Sequence, residues 1–261
     1  MLHPKTTGLI RRSLLLSFVL AGIASCSDNE PTSVETQAGG TGSNPSAADI
    51  HESSLVLDAH ADIVIPSTSR AYMSADGTSK VDPAKMRAGG VDAVVMSVAV
   101  GPGPRTMEGD AAARAEADEK IAAVHTLVEE SQGQVVIATT SSEIVAAHEA
   151  GKSALILGFQ NARSLQGNVS AIDEFYAEGV RIFGLNHLGH NAFSDSSRPE
   201  FSGETGAFEV TEEHGGLSSL GVAAVERINA LGALVDVSQL SRAATLQVLE
   251  LTRTPIIASH S

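Results

Sequence analysis

Asp58, His60 and Asp62 stand two residues apart in Leu57-Asp58-Ala59-His60-Ala61-Asp62. Side chains alternate between the faces of an extended chain, so this spacing sends all three to one side. His60 and Asp62 could then bind one metal ion together; a hydrogen-bonded histidine beside a capping aspartate would use the same residues. Further polar residues recur at intervals: Gln160 with Asn161, Asn186 with His187, Asp236 with Gln239, and finally His260. Asp236 interrupts the apolar run Leu234-Val235-Asp236-Val237. A carboxylate there must be paired or hydrogen-bonded, which suits orienting a ligand more than binding metal. His187 reads either as a satisfied rim histidine or as a site residue. His125 and His148 fall in helical patterns and read as surface residues; His190 and His214 lie in loop-like stretches and receive no role. The chain has one cysteine, so an internal disulfide, a thiolate zinc site and a redox pair are excluded, and any metal must use His and carboxylate ligands.

The elements that must position these residues alternate. The chain has 261 residues, 43% of them apolar but only 3% aromatic, enough for one large domain or two small ones. Nearly continuous apolar runs at 55–59, 92–100, 154–159, 181–185, 233–237 and 255–259 read as strands buried on both faces. Between them lie helical stretches. Ile121, Val124 and Val128 form a stripe within 109–131, Thr140 to Glu143 has capping-box spacing, and Gly151, Gly179 and Gly232 fit C-terminal stops. Short connections between alternating strands and helices predict a β/α barrel. In that architecture the active site lies at the C-terminal ends of the strands, where the polar residues fall. A complete barrel has eight strands in roughly 250 residues. Residues 53–261 supply about six, so an incomplete barrel is expected, truncated after Ser261, with open edges that favour association.

The amino-terminal segment reads as an address. Lys5, Arg11 and Arg12 precede an uncharged run from Ser13 to Ala24 that is too short to span a bilayer. Ile23-Ala24-Ser25-Cys26 resembles a bacterial lipobox, which makes residues 1–25 a signal peptide and Cys26 a lipid anchor. Residues 26–52 then form a flexible linker, and 53–261 the barrel. The expected location is the cell envelope, on the periplasmic face or the outer membrane, because Ser27 replaces the aspartate that retains many lipoproteins at the inner membrane. A formal charge of -14 makes nucleic acid a poor partner.

Leu57 to Asp62 resembles the metal-binding strand of the membrane dipeptidases. Four further segments agree in order and spacing: Met86 to Val91, Gly179 to His187, Gly216 to Gly221, and Pro255 to Ser261. The resemblance covers residues 53–261. It implies a (β/α)8 TIM barrel of the metal-dependent hydrolase type, in which two zinc ions activate a bridging water for attack on a dipeptide bond. By position His60 and Asp62 match ligands of one metal, His260 matches a ligand of the other, and His187 matches the histidine that contacts substrate. Two positions depart from the family. Gln160 stands where a bridging glutamate is usual, and Gln239 where a second-metal histidine is usual. A glutamine carbonyl is neutral and a weaker zinc ligand, so one zinc or none is the expectation for this chain. The implied activity is dipeptide hydrolysis, with a possible homodimer. The alternatives are a lipid-anchored binding protein that has lost catalysis, and a hydrolase of another small amide.

Overall fold

Leu155, Leu157 and Phe159 alternate with Ala154, Ile156 and Gly158, so one strand offers two leucines and a phenylalanine to one face and an alanine, an isoleucine and a glycine to the other. The computed structural model describes residues 44–261 apart from 204. It contains strands β1 (Leu57–Asp62), β2 (Ala93–Ala99), β3 (Val135–Ile137), β4 (Ser153–Gln160), β5 (Val180–Gly184), β6 (Phe201–Ser202), β7 (Ala207–Phe208), β8 (Leu234–Asp236) and β9 (Ile256–Ile257). The helices are α1 (Ala47–Ser53), α2 (Pro83–Gly89), α3 (Met107–Glu130), α4 (Ser141–Glu149), α5 (Ala171–Ala177), α6 (Ser219–Leu231) and α7 (Arg242–Leu251).

Seven strands form one curled parallel sheet in the order β1-β2-β4-β5-β8-β9, with β3 alongside the first half of β4. This is the incomplete barrel expected from the sequence. Strands β1 and β9 are its edges, and β6 and β7 make a separate hairpin. All residues of β2 and β4 are buried, as central strands covered on both faces must be.

The bulky side chains Val94, Met96, Val98, Leu155, Leu157, Phe159 and Phe183 join the helices in the larger core. Phe159 meets Phe175 of α5 at 4.9 Å and Phe183 at 5.5 Å between ring centroids, so the few aromatics concentrate under one helix. Ala93, Val95, Ala154, Ile156 and Ile182 form a second cluster on the opposite face. Continuing that face upward by period two reaches Gln160, Gly184 and Asp236. An added Cβ on Gly184 would stand 3.7 Å from the Asp236 Cβ, so glycine keeps the wall low beside the carboxylate.

The helix ends follow their expected chemistry. Thr140 closes a capping box with Glu143, and Gly232 ends α6 in the left-handed conformation at φ 71°. Two features depart from the sequence reading. Val135–Ile137 is a strand of only three residues, short enough to read as the end of the preceding helix. Residues 47–53, inside the stretch expected to be linker, form a helix because Ser46 and Asp49 cap it reciprocally and His51 Nε2 reaches Gly89 O at 3.1 Å. The described compact unit therefore begins at Pro45. Cys26, the signal peptide and most of the linker lie outside the described residues. Among the described residues no helix is long and apolar enough to cross a membrane.

Candidate metal centre

The strand exits gather four of the expected side chains. His60 and Asp62 lie within β1, where the pairing with β2 slips between Asp58 and Ala61, and His60 Nε2 stands 3.8 Å from Asp62 Oδ1. Asp58 turns away to accept the His60 backbone N–H at 3.0 Å, so it braces the strand. Across the sheet, the His260 ring lies 4.0 Å from that of His60. His60, Asp236 and His260 each offer an atom within 4.8 Å of the others, close enough for one small cation.

The register of β8 on β9 builds the support for His260. Pairing of Asp236 with Ile257 brings Ser259 to the carboxylate. Asp236 accepts hydrogen bonds from Ser238 N at 2.9 Å, from Ser259 N at 3.3 Å and from the Ser259 hydroxyl. Because a carboxylate only accepts, the Ser259 proton goes to Asp236. Ser259 Oγ must then accept from His260 Nδ1, 2.9 Å away. That network assigns the proton to Nδ1 and leaves a lone pair on Nε2.

Both glutamines converge on this lone pair. Gln239 Nε2 lies 2.9 Å and Gln160 Nε2 3.2 Å from His260 Nε2, and one lone pair cannot satisfy two amides. Their Oε1 atoms are buried and unpartnered, as is Nδ1 of His187. Buried polar atoms without partners are rare and call for an explanation. A divalent cation supplies one: it would be held by imidazole nitrogens and carboxylates, and an amide can turn its carbonyl oxygen toward it. The residues present fit one such ion. Burial, opposed by Asp62 and aided by His260 and His60, holds the His187 pKa below its ordinary value. Burial likewise lowers that of His60, with His260 adding and Asp62 opposing. Both imidazoles are thereby biased to the neutral, ligand-competent form.

Two strand-exit residues serve the scaffold instead. Asn161 donates to Val100 O and Gly101 O, and Asn186 donates to Gly189 O and Ser194 O. His190 and His214, left without a role by the sequence, also fasten the long loop after β5: His190 binds Val210 O at 2.7 Å and His214 binds Asn191 O at 2.8 Å. At the loop's centre Asp195, fully buried, accepts backbone N–H groups from Glu213, His214 and Gly216. Burial pushes its carboxyl up, but these three donors outweigh it and hold the pKa below 3.8. A depressed carboxylate pKa contributes stability that is present above the unfolded value and lost as pH falls through the folded one. Asp195→Asn should therefore cost about 2–4 kcal/mol at pH 7, and the gap from the parent should shrink below about pH 3.8. Urea unfolding at both pH values checks this; a gap independent of pH would show that the carboxylate charge is not what the loop uses.

A cavity of about 260 Å³ adjoins the centre, lined by Asp62, His187, Thr68, Ser69, Tyr72 and Lys120 among others. Lys120 was not singled out in the sequence. Its signal was position: it shares the buried stripe of α3 with Ala113, Ala117, Ile121 and Val124. A larger cavity, about 740 Å³, lies between α2 and α3 and contains none of the strand-exit residues.

Residues 45–261 match the family described as Membrane dipeptidase (Peptidase family M19). The chain is 32% identical over 143 residues to Dipeptidase verJ of Clonostachys rogersoniana, covering 55% of this chain and 34% of that protein. It is 34% identical over 114 residues to Dipeptidase aclJ of Aspergillus oryzae, covering 44% and 25%. Among solved structures, the probable dipeptidase PvdM of Pseudomonas aeruginosa superposes with a TM-score of 0.70 at 32% identity, over 82% of this chain and 54% of that one. A metallo peptidase from Rhodobacter sphaeroides, solved with a phosphinate mimic of L-Ala-D-Ala, shares the fold at a TM-score of 0.65 and 20% identity, over 79% and 65%. The matched region thus spans 34% and 25% of those fungal relatives and about half of the PvdM chain.

Proposed function

The chain belongs to the membrane dipeptidase family, and on that premise we propose that it hydrolyses the peptide bond of dipeptides at a centre holding one zinc ion. The observation that carries this is the meeting of His60 and His260, with Asp236 behind them, within 4.8 Å, Asp62 standing 3.8 Å from His60 and two glutamines with unpartnered oxygens lying against His260. His60, Asp62 and His260 would hold the ion. Asp236 is engaged by three donors and acts from behind His260. When bound, zinc supplies a Lewis acid that lowers the pKa of water and polarises a carbonyl. The chain's own contribution is to fix the His260 tautomer through Ser259 and to keep His60 neutral by burial. His187, whose Nδ1 lacks a protein partner and which lines the adjoining cavity with Asp62, would meet the substrate there.

The test is hydrolysis of a dipeptide panel by the full-length native protein before and after chelation. Activity should fall at least about a hundredfold on metal removal and return with zinc, since the metal's charge stabilisation is worth several kcal/mol. Hydrolysis that ignores the chelator would overturn the metal reading. Gln160 and Gln239 favour a second reading, a family member that binds small peptides without turnover; metal-dependent binding with no product would select it.

The envelope anchor at Cys26 is proposed on the lipobox resemblance alone. Cys26→Ala should move the protein from the membrane to the soluble fraction, and unchanged fractionation would refute the anchor.

A further inference from the structure

Gln239 has φ 64°, in the left-handed region that a residue with a Cβ rarely adopts. It is the third residue of the turn that Leu240 N–H closes onto Val237 O at 3.2 Å, and a positive φ at that place usually belongs to glycine or asparagine. A conformation of this cost persists only where the surroundings hold it. Here the loop after β5 does so. Gln239 O accepts Ser197 N–H at 2.8 Å and the Ser196 hydroxyl at 3.2 Å, and beyond Leu240 the N–H of Ser241 donates to Asp195 O at 2.8 Å. Ser196 is itself fixed in place. It is buried, its hydroxyl also reaches His187 O at 2.8 Å, and its N–H donates to Nδ1 of His190 at 3.0 Å. One hydroxyl proton thus lies between two carbonyls, one just past β5 and one in the turn after β8.

We infer that Ser196 is a positioning residue of the centre: it restrains the Gln239 turn in the left-handed conformation and so keeps the Gln239 amide against His260 Nε2. This rests on the metal reading for its purpose, because Gln239 stands at a ligand position there. The Ser196 hydroxyl bonds main-chain groups alone, so its effect on the amide passes through the turn.

The experiment compares Gln239→Gly with Gln239→Ala by urea unfolding of the full-length, metal-free chain, each with and without Ser196→Ala. With the serine in place, Gln239→Gly should exceed Gln239→Ala by about five- to thirtyfold in the folding equilibrium constant, the worth of one left-handed residue. Adding Ser196→Ala should shrink that ratio severalfold, because the released turn lets the Gln239→Ala chain leave the left-handed region. The first ratio does not depend on how Ser196→Ala folds. In Ser196→Ala alone, the side-chain amide NMR signals of Gln239 should move toward those of a free amide. Those of Gln160 should move the other way, since it then has the His260 lone pair to itself. A serine that only supports the fold would leave both amides unmoved. A ratio near one with the serine in place, a ratio unchanged by Ser196→Ala, or unmoved amides would overturn the inference. Failure of the metal reading looks different: the ratio and the amides would respond as expected, yet the parent would take up no zinc.

Discussion

Loaded with zinc and freed of excess, the full-length protein should carry one metal ion per chain, and the double variant Gln160→Glu, Gln239→His should carry two. The reason is charge. Two divalent ions about 3.5 Å apart repel by roughly 20 kcal/mol at an effective dielectric constant of 20. A bridging carboxylate about 2 Å from each returns on the order of 30 kcal/mol on the same scale. Gln160, at the end of β4 and almost fully buried, returns almost none of it. Its Nε2, like that of Gln239, instead lies against the one nitrogen of His260 that would bind the first ion. Glutamate at 160 supplies the missing charge, and histidine at 239 adds an imidazole on the same side. Metal content measured by mass spectrometry after gel filtration decides the matter. Two ions in the parent, or one in the double variant, would show that these side chains do not set the number. His260→Ala should release the remaining ion, lowering zinc affinity by more than about a hundredfold, since a direct ligand is worth at least as much as its supporting shell.

Much of this centre was legible before the fold. Period two along β1 put His60 and Asp62 on one face, though it also put Asp58 there, which instead accepts the His60 N–H; Gln160, Asp236 and Gln239 were marked as polar residues at strand exits, where chemistry collects in a β/α barrel. Asn161 and Asn186 shared that address yet serve the backbone, because a polar residue at a strand exit is also the nearest donor to loop carbonyls. The Ser259 bridge was not legible, because it depends on a two-residue register between β8 and β9 joined through α7. Lys120 was hidden for the opposite reason. Helical periodicity marks apolar positions, and a lysine within an apolar stripe stands out only once the stripe is seen to abut a cavity. Strand β3 escaped because three β-branched residues are too few to separate from a helix end.

The support behind His260 gives the sharpest separation between holding the fold and holding the metal. Asp236→Ala leaves Ser238 N, Ser259 N and the Ser259 hydroxyl without their acceptor, which should cost about 2–4 kcal/mol of stability. Asp236→Asn keeps the shape and one acceptor oxygen, so it should cost less. Its new NH2, however, faces Ser259 Oγ, which must then accept instead of donate. Ser259 would turn its proton toward His260 Nδ1, and the imidazole would move its own proton to Nε2. That tautomer has no lone pair where the cation binds. Zinc affinity should therefore fall 10- to 100-fold in Asp236→Asn, the usual loss for a supporting residue, in spite of the milder loss of stability. The nitrogen NMR shifts of His260 in the metal-free chain should exchange between Nδ1 and Nε2, a change that a merely structural carboxylate would not produce. If Asp236→Asn keeps the parent's tautomer and binds zinc as tightly, the Asp236–Ser259–His260 chain does not orient the ligand, and the three hydrogen bonds to Asp236 serve only to pin β8 to β9.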